Sequence, residues 1–131
     1  MTLRVGSIDR LAPVIADALE RTAPHEALRW VAEFVWDLDH APPDNRAALL
    51  TPCPESTGDC AWDALLAGVA EMLAHRHQLR VPPWSADPSR FLDSWWFFSD
   101  NPAWMVSAFT HAPAALANRG VFIHAAALES V

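Results

Sequence analysis

Apolar residues recur along the first third of the chain at the three- and four-residue intervals of a helix. Ile8, Leu11, Ile15 and Leu19 fall on one face. Ser7, just before them, is of the residue type that caps a helix N-terminus. The stretch "RTAP" interrupts this pattern, and Pro24 is suited to open the next helix, where its missing N–H would be unpaired anyway. Leu28, Val31, Phe34, Val35 and Leu38 then line a second stripe to about Leu38. Trp36 falls outside it. At about 100° per residue it points with Arg29 and Glu33 to the polar side, an apolar residue without a core position.

"HAPPDNRAALL" reads as a break and then two turns of helix, and "TPCPESTGD" at 51–59 as a Pro-rich loop dividing the chain into two sub-halves. Asp59 caps the longest helix, with Trp62, Leu65, Leu66, Val69, Met72, Leu73 and Arg76 as its stripe. Pro82 and Pro83 end this part of the chain in extended or turn structure. Asp87-Pro88 predicts a short helix through Phe91 and Leu92, and Asn101-Pro102 a helix through about Thr110. "HAPAALANRG" reads as another short helix stopped by Gly120, and "HAAALESV" as a last helical turn. Only Val121–Ile123 carries a strand signal. The expected fold is all-α, one domain over 1–131, with five to seven helices, several of them short.

Between the two proline-started helices lies "DSWWFFSDNPAW", with four consecutive aromatics from Trp95 to Phe98 and Trp104 soon after. In an extended connector these side chains alternate, so Trp96 and Phe98 share one face and Trp95 and Phe97 the other. Part of the run is expected to close the core and part to face outward.

Composition narrows the function. The chain has 131 residues, 52% of them hydrophobic, which is enough for a core and leaves seven Trp to place. Sixteen acids against nine bases, a net charge of −7, disfavour direct nucleic-acid binding and favour a basic protein partner. A DNA-bound regulator would require Arg4, Arg10, Arg21 and Arg29 to gather on one face. The first twenty residues lack the long apolar run of a signal peptide, and no segment has the length of a membrane span. A cytoplasmic setting is expected, where Cys53 and Cys60 stay reduced.

No constellation in the sequence demands catalysis. Cys53 and Cys60 lack the tight spacing of a zinc knuckle, and His75 and His77 suit the end of a helix, so neither metal nor cofactor is expected. In "WDLDH", Asp37 and Asp39 lie about 200° apart on a helix and do not converge with His40. There is no nucleophile elbow, phosphate loop or dinucleotide fingerprint.

Three segments carry a resemblance: "TGDCAWDALLAGVAEMLA", "VPPWSADPSRFLDSWWF" and "HAPAALANRGVFIHAAALESV". They resemble a largely uncharacterised actinobacterial helical family with a W-x-x-D-P-x-R-F-L segment, an aromatic pair and an R-G-V-F-I ending. Here these are Trp84, Asp87, Pro88, Arg90, Phe91, Leu92, Trp96, Phe97, Arg119, Gly120, Val121, Phe122 and Ile123. Because Trp96 and Phe97 belong to this pattern, the resemblance makes them the expected core pair, and Trp95 and Phe98 the expected surface pair. The resemblance spans roughly the second half of the chain and names no catalytic residue. It departs from relatives with a more basic stretch before the R-G pair, because "AALANRG" holds Arg119 alone. It implies an antitoxin-like partner of a nucleotidyltransferase-type toxin. The expected function is therefore binding and neutralising a basic cognate toxin, with Trp36, Trp95, Trp96, Phe98, Trp104 and Asp100 as partner-binding residues. The alternative is a small-molecule binder or enzyme with an aromatic-lined pocket whose polar groups are Asp93, Asp100 and His111.

Overall fold

The computed structural model describes residues 6–129. A 3-10 turn, Ile8–Arg10, leads into α1 (Leu11–Glu20). Ser7 stands at the expected capping position, but its hydroxyl donates to the Asp9 carboxylate and leaves the backbone uncapped. Ile8, Leu11 and Ile15 are fully buried against α2 (Pro24–Asp39). That helix begins at Pro24 and buries Val31, Phe34, Val35 and Leu38. Between them Thr22 takes a left-handed φ of 55°, which reverses the chain within a few residues.

After α3 (Pro43–Leu50) the loop at 51–59 is fastened by side chains. Asp63 accepts hydrogen bonds from the Thr57 N–H (2.7 Å), the Thr57 hydroxyl (2.8 Å) and the Ser56 hydroxyl (2.6 Å). Arg90 reaches in from beyond the next helix and donates to the carbonyls of Pro54 (2.7 Å) and Asp63 (3.2 Å). Its guanidinium also lies over the Trp84 ring, 4.8 Å from the centroid.

The long helix α4 (Cys60–Arg76) starts where expected. The Asp59 carboxylate accepts from the N–H groups of Ala61 and Trp62, at 2.9 and 3.3 Å. The expected single stripe understates its burial: eleven of its 17 residues are buried, on all sides. Ala64, Ala67, Gly68, Ala70 and Ala74 are the reason, because small side chains let neighbouring elements approach closely. At Gly68 an added Cβ would lie 2.8 Å from Leu116 Cγ. The helix closes with Gln78 in the left-handed region (φ 57°) and a 2.7 Å bond from the Leu79 N–H to the Ala74 carbonyl.

The Asp87-Pro88 segment forms only a 3-10 turn, Pro88–Arg90, and Phe91 is extended. The Arg90 side chain is drawn into the interior, and the Leu92 N–H pairs with the Arg119 carbonyl at 3.0 Å, so long-range bonds stop the helix. The aromatic run then forms β1 (Trp96–Phe97), parallel to β2 (Val121–Phe122) in the register Trp96 to Val121 and Phe97 to Phe122. The Trp96 N–H donates to Gly120 (2.8 Å) and the Phe98 N–H to Phe122 (3.2 Å). Gly120 holds φ at 82°, where a side chain would also meet Leu92.

Asn101 caps α5 (Pro102–His111) through the Ala103 N–H at 3.0 Å. The short α6 (Ala114–Ala117) and a 3-10 turn, Ala125–Leu128, complete the described chain. The fold is all-α apart from the two-residue strands, with six α-helices among the described residues. One connected core runs from Ile8 to Leu128, centred on Leu65, Leu66, Val69 and Leu73 of α4. No described helix is long and apolar enough to cross a membrane.

Candidate functional site

The four consecutive aromatics obey the alternation of an extended strand. Trp96 and Phe98 face inward and meet the buried Trp62 edge-on, with ring centroids 6.0 and 6.1 Å away. Trp95 and Phe97 face the other way and meet Phe122 of β2, at 5.1 and 5.0 Å. Phe109 of α5 stacks on the same ring at 5.3 Å and touches Trp95 at 5.4 Å. Phe122 is thus a buried floor on which three further rings stand. The expected core pair, Trp96 and Phe97, is corrected. Adjacent residues of a strand cannot share a face, so Phe98 joins Trp96 on the inner side and Phe97 lies with Trp95 on the outer.

Large apolar side chains of the run and of α5 are open to solvent. Trp95 is 65% exposed, Trp104 64%, Val106 68% and Phe109 53%. All but Trp95 belong to α5, whose buried residue is Ala108 alone. Asp93 and Asp100, both exposed, flank the aromatic run in sequence.

The other expected residues lie elsewhere. Trp36 is exposed, as its position on α2 predicts, and stacks on His40 with centroids 4.0 Å apart. It sits toward the opposite end of α2 from His25, whose ring meets Phe98 edge-on at 5.1 Å, and the two are about 16 Å apart along the axis, so the structure does not bring Trp36 to the aromatic face. His77 bonds Asp39 at 2.6 Å, and Arg76 links Asp39 (2.7 Å) to Glu129 (2.5 Å), tying the ends of α2 and α4 to the last 3-10 turn. Cys53 and Cys60 are exposed free thiols. Among the described residues, no group of three or more His, Cys, Asp or Glu is placed to hold a metal. Arg21 is engaged by Glu26 and Asp17, which hold its guanidinium pKa above the ordinary value, with the Glu26 hydrogen bond the larger cause. Arg4 lies outside the described residues.

A cavity of about 600 Å³ adjoins the aromatic face. Leu28 of α2, Phe98, Trp104 and Ala108 of α5, and Phe122 and Ile123 of β2 and its exit supply apolar walls. Its polar groups are His25, Ser99, Ser107 and His124, rather than the Asp93, Asp100 and His111 expected from sequence. His111 stacks on His124 instead, at 4.7 Å, and bonds the Ser107 carbonyl at 3.0 Å.

The conspicuous sequence pattern of the second half makes internal contacts of the fold. Trp84 donates its indole N–H to the Leu50 carbonyl (3.1 Å), and Asp87 caps Ser89 (2.9 Å). Arg119 is buried and donates to Glu71 (2.7 Å), Ala115 (2.8 Å) and Ser85 (2.8 Å), with its guanidinium over Phe91. Phe109, Val106, His25 and His124 were not singled out in the sequence. The lack of any Asp, Glu, Lys or Arg between Pro102 and His111 is the signal that could have marked α5. Comparison of the chain with family models, curated proteins and solved structures gives no match.

Proposed function

We propose that this protein is a protein-binding component that docks a partner on the aromatic face of α5 and β1, acting as an antitoxin-like element that covers a basic surface of a cognate toxin. One observation carries the docking reading: Trp95 and Phe109, both more than half exposed, touch each other on the buried Phe122 ring, and Trp104 and Val106, at other positions of α5, are more than half exposed as well. Contiguous apolar surface of this kind marks interaction sites, and Trp is among the residues that dominate binding energy. The net charge of −7, with exposed Asp93 and Asp100 on either side of the run, supports a basic partner. The toxin, and its nucleotidyltransferase type, follow from the sequence resemblance.

The test is co-expression with the product of the adjacent gene, followed by copurification and calorimetry. Trp95→Ala and Trp104→Ala are each expected to weaken the complex by roughly 30-fold, about 2 kcal/mol. Trp36→Ala, remote from the face, is expected to leave it unchanged. A complex that withstands both face substitutions overturns the docking site, and the absence of any complex overturns the antitoxin-like reading.

A further inference from the structure

We infer that the cavity between α2 and α5 is a binding site for a small amphipathic carboxylate, an aryl or medium-chain acid whose apolar part lies on the rings and whose carboxylate meets His124 and the serines. The cavity shares Trp104 with the docking face but does not rest on that reading. The volume, about 600 Å³, lies within the range of roughly 300–1,000 Å³ typical of small-molecule sites. Apolar walls with a few polar groups are the usual composition of such sites.

The character of those polar groups selects the ligand. None of the lining residues is acidic, although the chain carries sixteen acids and nine bases. An anion therefore meets no like charge in the lining, and a cation finds no carboxylate. The groups present can donate. His124 Nδ1 accepts the Ala126 N–H at 3.0 Å, which places the ring proton on Nε2, leaving that nitrogen a donor. Ser99 Oγ accepts the Asn101 N–H at 3.2 Å and so keeps its own hydrogen to give. Ser107 adds a second hydroxyl to the lining. The His111 ring stacked on His124 fixes the plane of the donor. Carboxylates take such donors in short, charge-assisted hydrogen bonds.

Calorimetry on the full chain, with ligands below their micelle concentrations, tests the site. The probes are decanoate, decanol and decyltrimethylammonium. Decanoate is expected to bind, decanol at least about tenfold more weakly, and the ammonium compound not at all. His124→Asp retains an oxygen able to cap Ala126 but carries no donor and adds a like charge; it is expected to weaken decanoate by at least about tenfold and to affect decanol far less. Ala108→Trp fills the cavity and is expected to abolish both, with Ala127→Trp as the alternative if circular dichroism shows that the first variant is unfolded. Trp36→Ala, remote from the cavity, is expected to bind decanoate normally. Equal affinity for all three probes, indifference of decanoate to His124→Asp, loss of decanoate binding in Trp36→Ala, or no decanoate binding to the folded chain each overturns the proposal.

Discussion

Helices α4 and α5 invert the usual relation between composition and burial. Between Pro102 and His111, α5 has no Asp, Glu, Lys or Arg, whereas α4 contains Asp63, Glu71 and Arg76. Yet α4 is surrounded by the rest of the protein, and α5 buries only Ala108. The difference lies in what can come close. The Ala and Gly positions of α4 make its surface approachable from several directions, and Leu116 of α6 sits directly against Gly68. In α5 the bulky side chains of Trp104, Val106 and Phe109 stay more than half exposed, even though Phe109 rests on Phe122, and Ala108 alone is buried. Apolar composition gives a helix a reason to be buried, but its small residues decide whether its neighbours can bury it.

The contrast is broken most severely at Trp62, the inner partner of Trp96 and Phe98. Trp62→Ala is expected to cost about 3–5 kcal/mol in urea unfolding, because the cavity removes support from both rings of the inner face. Gly68→Ala comes next. With Leu116 Cγ and Cα 2.8 and 3.2 Å from the added carbon, a loss of about 1–3 kcal/mol is expected by the same measurement. If Gly68→Ala is neutral, the close approach of α6 is not what encloses α4. On the other side of the comparison, Val106→Ser is expected to change stability by less than about 0.5 kcal/mol, since the residue is exposed. A larger loss would mean that α5 depends on internal packing.

The smallest effect concerns the 3-10 turn at Pro88–Arg90. The Asp87 carboxyl pKa is held below its ordinary value, first by the Ser89 N–H, then by the Ser89 hydroxyl, with Arg90 adding a weaker attraction. A depressed carboxyl pKa stabilises the fold above the unfolded value, and that contribution is lost as pH falls through the folded one. An NMR titration is expected to show the Asp87 midpoint below that of an unstructured aspartate, and Ser89→Ala to move it upward.

The helices whose signals are local were readable from the sequence. Pro24, Asp59 and Asn101 begin their helices where residue type dictates, and the α1 and α2 stripes are buried as spaced except at Leu19 and Leu28, which are half-buried. Structure that depends on distant partners was not readable. The period of Trp95–Phe98 was visible, but its inward side was set by Trp62 and Phe122, neither adjacent in sequence. The 3-10 turn at Pro88–Arg90 needed the Arg119 carbonyl to explain it. The cavity joins His25 and His124 from opposite ends of the chain, and no spacing rule connects them. Phe109 escaped notice because an apolar residue in a helix ordinarily reads as core.

The parallel pairing of β1 with β2 joins segments far apart in the chain, so the face cannot be completed by local contacts alone. Until that long loop closes, Trp95 and Phe97 have no Phe122 ring beneath them, and closing it carries an entropic cost that the helix contacts do not. A chain cut before Val121 would keep Trp95, Trp104 and Phe109 but lose the ring that seats Trp95 and Phe109.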